Sequence, residues 1–522
     1  MSAATVTPIT IAAVFDRPLA KEPGREALVT TSGRYSYAEL DRLADRACDA
    51  LRALGLRPGD RVAAALPNDT DIVMSFHGAM RLGAVWVGVN RNLAPPEMAF
   101  LLDDSAASLL LCDVGTDERL RAQGGVTARS VVVDGSADWA EALTSADPVD
   151  RPPIDPHAAA AIAYTSGTTG RPKGAVHSQH NLLLPGATLV ASRRYDARLR
   201  KGDCFPLTVL NLQVLTTLLV AQAGGCSVIM DRIDAEGVAD WIQREAVTTW
   251  NGPPALLHSL VERDEVSADD LASLDEVWTG GGDCPESLRE RFAAKFGTPV
   301  LATYGLSEAP SVVTIDDRDG THRPGASGRP LPHLAIEVLD ETGAPVPPGQ
   351  SGEICVGPTD SGAWAGRYLT MIGYLDRPEA SATTLAGGVL HTGDIGHLDD
   401  AGFLHVSDRK SLVIIRGGAN VYPAEVERVL GDAPGVAACA VMGVPDERLG
   451  QRVVAVVEPE AGVEVDVAAL DDHCLRNLAR YKVPERFGVV ARLPRNAMGK
   501  IARAELPVVS LSPPARPPAT SG

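Results

Sequence analysis

Apolar residues along the first half of the chain follow two different spacings. They recur at helical spacing over 37–54, and Gly55 with the following Pro58-Gly59-Asp60 turn ends that segment. Between such segments lie short continuous apolar runs, which are typical of buried strands. This pattern predicts a helix over 71–82 and strands over 61–66, 83–89, 109–112, 130–133, 227–230 and 276–279. Alternating strands and helices indicate a parallel sheet in an α/β layer architecture.

Beyond about residue 325 the pattern changes to antiparallel hairpins. The pairs 335–339 with 352–356 and 396–398 with 403–406 are each separated by a Gly- or Asp-containing turn. A compact tail follows, with predicted strands over 413–415, 438–441 and 452–457 and a helix over 424–430. We therefore predict an α/β fold: a large N-terminal domain with α/β layers and a β-rich subdomain, and a small mobile C-terminal α+β domain.

The predicted domain limits are 1–408, 409–506 and a Pro-, Ser- and Ala-rich tail, 507–522, expected to be disordered. A length of 522 residues fits two or more domains. The formal charge of 48 − 67 = −19 argues against a general binder of nucleic acid or anionic membrane, because both would be repelled. A local basic pocket for a phosphate ligand remains compatible with that charge.

Composition also bears on location and on metals. No secretory signal is visible over 1–20, and the longest charge-free span, 204–230, is interrupted by polar residues and Gly224-Gly225, so no membrane span is predicted. The eight cysteines are scattered without a CxxC pair, which favours reduced thiols and a cytoplasmic protein. His177 and His180 lack a completing Cys or carboxylate, so packing or surface roles are favoured over metal binding.

The segment with the most chemical information is Tyr164-Thr165-Ser166-Gly167-Thr168-Thr169-Gly170-Arg171-Pro172-Lys173-Gly174. Its glycines let the backbone approach an anion, its hydroxyls and amides supply donors, and Lys173 supplies positive charge. Lys173 lies between Pro172 and Gly174, so this is not the Gly-Lys-Ser/Thr pattern of a Walker-type loop. The composition indicates a polyphosphate cradle, and a plain flexible loop is disfavoured by the fixed proline and lysine.

This segment resembles the phosphate-binding loop of the adenylate-forming superfamily, which contains acyl- and aryl-CoA synthetases, peptide-synthetase adenylation domains and firefly luciferase. The resemblance extends over about 25–506, with several motifs in the expected order. It implies ATP or AMP contacts from the loop residues Thr165, Ser166, Gly167, Thr168, Thr169, Gly170 and Lys173.

Two further motifs contribute to the implied nucleotide site. Gly280-Gly281-Gly282-Asp283-Cys284-Pro285 resembles the family's turn beside the adenine and acyl pockets, which implies nucleotide contacts from Gly281, Gly282 and Asp283. Tyr304-Gly305-Leu306-Ser307-Glu308 resembles the family's Tyr-Gly-x-Thr-Glu. The resemblance implies that Tyr304 stacks on adenine beside Gly305, that Ser307 donates to the α-phosphate and that Glu308 binds Mg²⁺. Ser307 replaces the usual threonine and keeps its hydroxyl.

The remaining implied contacts lie further along the chain. His391-Thr392-Gly393-Asp394 follows an apolar strand, and its aspartate is implied to accept hydrogen bonds from both ribose hydroxyls. Arg409 is implied to contact the nucleotide. Lys500, in a segment that resembles the C-terminal signature, is implied to be the catalytic lysine that bridges the attacking carboxylate and the α-phosphate. Without the other motifs, Asp394 would be interpreted as a turn carboxylate, Arg409 as part of a surface ion pair and Lys500 as a solvent-facing lysine.

Three positions concern domain movement, coenzyme A and the acid. Ser411 falls at the family's hinge, where Lys or Asp is usual, and a small serine still permits a backbone rotation. Gly417 and Gly418 resemble the loop that lines the pantetheine tunnel, so they are implied to bind CoA. Thr208-Val209 stand where many members carry an aromatic-His pair beside the acyl pocket.

The resemblance implies an ATP-dependent carboxylate–CoA ligase that uses ATP, Mg²⁺ and coenzyme A and forms an acyl-adenylate before the thioester. Two alternatives remain open: an adenylating enzyme that passes the acyl group to a carrier protein, and an inactive binding protein on the same fold. The segments 211–219 and 280–284 suggest an apolar acyl pocket, hence a medium-chain, alicyclic or aromatic monocarboxylate. The oligomeric state is open, with a homodimer as one option.

Overall fold

The computed structural model of the protein describes residues 10–134, 137–145, 150–165, 172–280, 284–318, 322–409, 412, 414–416, 419–446, 450–478, 480–495 and 501–506. Its strands are β1 (Glu26–Val29), β2 (Arg34–Ser36), β3 (Arg61–Ala65), β4 (Val85–Gly88), β5 (Leu109–Cys112), β6 (Arg129–Val132), β7 (Ala159–Thr165), β8 (Lys173–Ser178), β9 (Arg200–Asp203), β10 (Cys226–Ile229), β11 (Thr249–Asn251), β12 (Glu276–Gly280), β13 (Val300–Leu306), β14 (Ser311–Ile315), β15 (Arg329–Pro330), β16 (Leu334–Leu339), β17 (Gly352–Pro358), β18 (Gly373–Tyr374), β19 (Leu390–Leu398), β20 (Leu404–Arg409), β21 (Ile414–Arg416), β22 (Ala419–Val421), β23 (Val436–Asp446), β24 (Gly450–Pro459) and β25 (Arg486–Val489).

The α-helices are α1 (Asp16–Lys21), α2 (Tyr37–Ala53), α3 (Thr70–Leu82), α4 (Pro95–Asp104), α5 (Val114–Gln123), α6 (Ala137–Ser145), α7 (Gln179–Arg193), α8 (Leu210–Leu212), α9 (Leu219–Ala223), α10 (Ala235–Glu245), α11 (Pro254–Glu262), α12 (Glu286–Phe296), α13 (Pro378–Thr384), α14 (Pro423–Gly431) and α15 (Val467–Asn477). A π-helical turn, Gln213–Leu218, joins α8 to α9. No helix in the described part of the chain is both long enough and apolar enough to cross a membrane.

Four sheets organise these elements. A nine-stranded sheet has the order β15-β14-β13-β12-β11-β9-β10-β1-β2, and a seven-stranded sheet has the order β18-β8-β7-β4-β3-β5-β6. Both have parallel centres, as the βα alternation predicted. The nine-stranded sheet has antiparallel pairs at both edges, whereas the seven-stranded sheet has them only at its β18-β8-β7 edge. A four-stranded antiparallel sheet, β16-β17-β19-β20, contains both predicted hairpins.

Local sequence explains why the first long helix begins where it does. The Ser36 hydroxyl accepts a hydrogen bond from the Glu39 amide, and the Glu39 carboxylate accepts one from the Ser36 amide at 2.8 Å. This reciprocal capping box satisfies two amides that a helix start leaves free. Helix α2 then packs tightly on α3, where a Cβ at Gly78 would lie 2.7 Å from the Ala47 Cβ. Only glycine permits that approach.

The C-terminal region forms a separate small sheet. Strands β22-β21-β24-β23, with β25 beside β24, enclose their own core with α14 and α15. Arg416 of β21 and Arg452 of β24 both pair with Glu485, the residue just before β25. The α/β fold class, with a large N-terminal and a small C-terminal part, is confirmed; the exact limits 1–408 and 409–506 stay predictions, and the tail 507–522 lies outside the described residues.

Two features differ from the sequence prediction. Asp394 was expected just after an apolar strand, but it lies in the middle of β19, which runs on to pair with β20. The predicted strand ended too early because Gly393, which looks like a turn residue, adopts a positive φ of 71° within the strand. The π-helical turn was also not foreseen. Its Thr216 carbonyl accepts a hydrogen bond from the Ser227 hydroxyl at 2.8 Å, which supports the widened turn.

Candidate active site

The ends of two paired strands flank the predicted phosphate loop. Strand β7 ends at Thr165 and β8 begins at Lys173, and these two residues are paired across the antiparallel ladder. The Thr165 hydroxyl donates to the Lys173 carbonyl at 3.5 Å. Ser166, Gly167, Thr168, Thr169 and Gly170 lie outside the described residues. The loop they form nevertheless starts and ends at the carboxyl end of β7, where ligands of open α/β sheets bind.

Lys173 and Glu308 both contact one tyrosine, Tyr374, the first through its ring and the second through its hydroxyl. The Lys173 ammonium lies 5.3 Å from the centre of the Tyr374 ring, a cation–π distance. The Tyr374 hydroxyl donates to Glu308 Oε1 at 2.7 Å. The structure therefore brings the predicted phosphate-binding lysine and the predicted Mg²⁺ ligand together, although they are 135 positions apart in sequence (308 − 173).

The Ser307–Glu308 turn connects β13 to β14 at the edge of the nine-stranded sheet. Its backbone is held from the other sheet by His177, whose Nε2 donates to the Ser307 carbonyl at 2.7 Å. His177 is fully buried, and burial lowers the pKa of its imidazole to about 4. The ring is therefore neutral at pH 7, because a charged imidazole would lose its hydration there. His177 is thus a buried, neutral ring that donates one hydrogen bond to the turn.

A second contact joins the nine-stranded and four-stranded sheets. The Tyr304 hydroxyl donates to Asp394 Oδ2 at 2.6 Å, and Asp394 is only 5% exposed. The Thr392 hydroxyl accepts from the Asp394 amide at 3.1 Å and donates to the Ile354 carbonyl at 2.7 Å. These bonds fix the backbone that carries the carboxylate. The predicted adenine-stacking residue and the predicted ribose-binding residue are thus direct neighbours.

Glycine gives the same region its close backbone packing. A Cβ at Gly305 would overlap the Ser311 carbonyl, and a Cβ at Gly280 would overlap the Thr303 hydroxyl. On the opposite sheet, a Cβ at Gly88 would overlap the Thr208 carbonyl. Thr208 therefore packs against the carboxyl end of β4, the strand paired with β7. Helix α8 comes next in the chain and contacts both β7 and β14. The departure at Thr208-Val209 lies next to the site.

Several predicted residues cannot be placed. Gly281, Gly282, Asp283, Ser411, Gly417, Gly418 and Lys500 lie outside the described residues, and Arg409 is described only as the backbone partner of Asp394. In the described part of the chain, no three His, Cys, Asp or Glu side chains form a metal cluster. A Mg²⁺ ion here would take one ligand oxygen from Glu308 and the others from phosphate and water, as Mg²⁺ usually does.

Two residues of this region, Tyr374 and Asp104, were not predicted as site residues. Tyr374 lies on the two-residue strand β18, paired with Ala175 of β8, and nothing in its local sequence signals that position. Asp104 accepts from the Tyr164 hydroxyl at 2.9 Å and from Arg377 at 2.7 Å. It thereby links the base of the phosphate loop to the segment after β18. Such contacts depend on tertiary structure alone, so no periodicity could have indicated them.

A polyphosphate with a hard cation suits this arrangement chemically. Lys173 supplies positive charge, Glu308 a hard oxygen ligand, Ser307 a hydroxyl, and Asp394 a buried acceptor for a polyol. The arrangement favours positioning and charge neutralisation of a phosphoryl centre.

Known proteins match the chain over most of its length. Residues 15–363 match the AMP-binding enzyme family, and residues 425–500 match the AMP-binding enzyme C-terminal domain. The long-chain-fatty-acid–CoA ligase FadD13 of Mycobacterium tuberculosis is 34% identical over 91% of this chain and 93% of its own. Feruloyl-CoA synthase of Streptomyces sp. is 36% identical over 90% and 93%. The fatty acid–[acyl-carrier-protein] ligase ScoC of Streptomyces coeruleorubidus is 31% identical over 93% of both chains.

Solved structures agree with these matches. ATP-bound MatB from Rhodopseudomonas palustris aligns with a TM-score of 0.86 and 29% identity over 94% of this chain and 97% of that one. The o-succinylbenzoate–CoA synthetase MenE of Bacillus subtilis, in complex with ATP and magnesium, aligns with a TM-score of 0.82 and 30% identity over 94% and 98%. The chain therefore belongs to the AMP-binding enzymes of the adenylate-forming superfamily, among acyl- and aryl-CoA ligases, as its motifs predicted.

Proposed function

We propose that the protein is an ATP-dependent carboxylate–CoA ligase. It forms an acyl-adenylate from a carboxylic acid and MgATP and then the acyl-CoA thioester, releasing AMP and pyrophosphate. The observation that supports this most is the contact chain Lys173–Tyr374–Glu308 beside the Tyr304–Asp394 pair. These residues come from three sheets and meet where family members with the same motifs bind a nucleotide.

In the first half-reaction a carboxylate oxygen attacks the α-phosphorus in line. The new bond joins that oxygen to phosphorus, and the bond from the α-phosphorus to the bridging oxygen breaks, so pyrophosphate leaves. We assign Lys173 and the loop 165–170 to the β- and γ-phosphates, Ser307 to the α-phosphate and Glu308 to Mg²⁺. Lys500 would neutralise the charge between carboxylate and phosphate, and Asp394 would hold the ribose.

In the second half-reaction the thiol of coenzyme A attacks the acyl carbon of the adenylate. The carbon–sulfur bond forms, the carbon–oxygen bond to phosphate breaks, and AMP leaves with its electron pair. A rotation of the C-terminal region near Ser411 would withdraw Lys500 and bring Gly417 and Gly418 to the site. Glycine at these two positions suits the thin pantetheine arm, because glycine has no side chain that would obstruct it.

The relatives and the sequence each bear on the acceptor and on the acid. ScoC, whose name gives a carrier protein as acceptor, shares 31% identity with this chain, which keeps a carrier protein as the second candidate. The Gly-Gly-Ala-Asn-Val-Tyr-Pro sequence after Arg416 favours coenzyme A. For the acid, FadD13 is named for a long-chain fatty acid and feruloyl-CoA synthase for an aromatic acid. The aromatic acid falls within the expected medium-chain, alicyclic or aromatic monocarboxylates, and the long-chain acid does not. We place the reaction in the cytoplasm.

Carboxylate-dependent ATP–pyrophosphate exchange with a panel of acids tests this function. At least one medium-chain, alicyclic or aromatic monocarboxylate should support exchange, and AMP release should then require coenzyme A. Dependence on a phosphopantetheinyl carrier protein in place of coenzyme A would select the second candidate. Absence of exchange with every acid would contradict both and would leave an inactive binding protein.

A further inference from the structure

Strand β8 reaches the Ser307–Glu308 turn directly through His177 and indirectly through Lys173, which lies over Tyr374 of the neighbouring strand β18. Side chains two positions apart on a strand share a face, so Lys173, Ala175 and His177 point to the same side of β8. At one end of that face, Lys173 lies over the Tyr374 ring, and the Tyr374 hydroxyl binds Glu308. At the other end, His177 binds the Ser307 carbonyl. Two neighbouring residues of the turn are thus held from two adjacent strands, Ser307 by His177 of β8 and Glu308 by Tyr374 of β18.

The strand that follows the turn begins with a backbone conformation that neighbouring structure must maintain. Ser311, at the start of β14, has a φ of 78°, in the left-handed region that a non-glycine residue seldom adopts. The pairing of β13 with β14 shifts register between Tyr304 and Gly305. Strained segments of this kind persist at functional sites only where surrounding contacts over-determine them. His177 supplies such a contact from the opposite sheet.

The contact of His177 is well defined. Its side chain is fully buried, its Nε2 lies 2.7 Å from the Ser307 oxygen, and its Nδ1 has no hydrogen-bond partner in the described structure. The ring therefore makes one hydrogen bond, to the carbonyl of Ser307. Ser307 is the residue whose hydroxyl is assigned to the α-phosphate. Because the ring cannot reach solvent, loss of the Nε2–H would leave that carbonyl without this donor.

We propose that His177 is a positioning residue that sets the Ser307–Glu308 turn for MgATP. The proposal rests on the function proposed above and adds a residue that touches no substrate. Tyr374 fixes the Glu308 carboxylate, and His177 fixes the backbone one residue earlier. Together they fix the positions of the Ser307 hydroxyl and the Glu308 carboxylate relative to Lys173.

Three variants test this role. His177→Leu keeps an apolar side chain of similar size and removes the donor. His177→Gln restores an N–H at nearly the place of Nε2. His180→Leu is the matched control, because His180 also binds a backbone carbonyl at 2.7 Å, but it is only half-buried and its partner is Arg367, before β18, instead of the turn. Each variant is measured by ATP–pyrophosphate exchange, by direct titration with MgATP, and by its thermal midpoint.

We expect His177→Leu to lower kcat/KM for MgATP about ten-fold, the size of one lost hydrogen bond. The KM for the acid should change by less than about two-fold, and His177→Gln should recover most of the loss. His180→Leu should match the wild type. A His177→Leu enzyme that matches the control would overturn the proposal. Equal losses in the Leu and Gln variants, with both substrates affected alike, would also overturn it, since they indicate packing alone.

The two hypotheses fail in different ways. If the wild type exchanges pyrophosphate with no acid, the proposed function fails, and His177 is judged by the MgATP titration alone. Weaker MgATP binding in His177→Leu than in His177→Gln and His180→Leu then supports the positioning role. Equal binding in all of them contradicts it.

Discussion

The assignment of Asp394 to the ribose leads to a prediction that compares two nucleotides in one enzyme. Asp394 is nearly buried, and Tyr304 and Thr392 fix its carboxylate and its backbone. A buried carboxylate that accepts a hydrogen bond from the ribose 2′-hydroxyl should discriminate strongly against 2′-deoxy-ATP. A hydrogen bond to a charged group contributes about 1.5–3 kcal/mol.

The magnitude follows from that range. At about 1.4 kcal/mol for each factor of ten, the wild type should prefer ATP over 2′-deoxy-ATP by about 10- to 100-fold in kcat/KM. Asp394→Ala removes the acceptor, so the preference should fall to near unity even though both nucleotides react more slowly. The ratio cancels any general loss, including the loss of the Tyr304 hydrogen bond, because that loss applies to both substrates.

The assay is pyrophosphate exchange with each nucleotide at a saturating acid concentration. Glu337→Ala is the matched control, since Glu337 is an exposed carboxylate on β16 of the same four-stranded sheet. It should keep the wild-type preference. If Asp394→Ala retains the wild-type preference for ATP, Asp394 does not contact the 2′-hydroxyl, and the ribose assignment is wrong.

Three further predictions concern other parts of the molecule. Lys500→Ala should abolish adenylation yet largely spare thioester formation from preformed acyl-adenylate; equal losses in both half-reactions would contradict a lysine that acts in only one. Tyr374→Phe keeps the ring but removes the hydroxyl that donates a hydrogen bond to Glu308. The Mg²⁺ concentration for half-maximal exchange should therefore rise about ten-fold. An unchanged concentration would contradict the assignment of Glu308 to the metal. Gly78→Ala should destabilise the α2–α3 contact by about 1–3 kcal/mol and lower the thermal midpoint; an unchanged midpoint would contradict the tight packing.

Patterns that are local in sequence predicted most of the fold. The helix over 37–54 appears as Tyr37–Ala53, and the tail helix over 424–430 appears as Pro423–Gly431, because periodicity and capping residues determine such elements. The parallel sheet centres followed from strand–helix alternation. Asp394 was misplaced relative to its strand because Gly393, a residue usually found in turns, occurs within β19.

In the candidate site, too, the residues that belong to local sequence motifs could be predicted and the others could not. Lys173, Tyr304, Ser307, Glu308 and Asp394 could be found from motifs, since each motif is a short contiguous stretch. Tyr374, His177 and Asp104 could not, because their importance comes from contacts with residues far away in the sequence. A two-residue strand and a single ring nitrogen leave no periodic signal. The contacts that hold a site together are therefore less predictable than the residues that would bind the ligand.

The central claim is that a carboxylate oxygen of the acid attacks the α-phosphorus of ATP. Oxygen-18 transfer tests it most directly: an accepted acid labelled in both carboxylate oxygens is turned over with ATP and coenzyme A, and the products are analysed by mass spectrometry. The account predicts one oxygen-18 in the phosphate of AMP and none in pyrophosphate. AMP without label, or a reaction that yields ADP and phosphate, would contradict it.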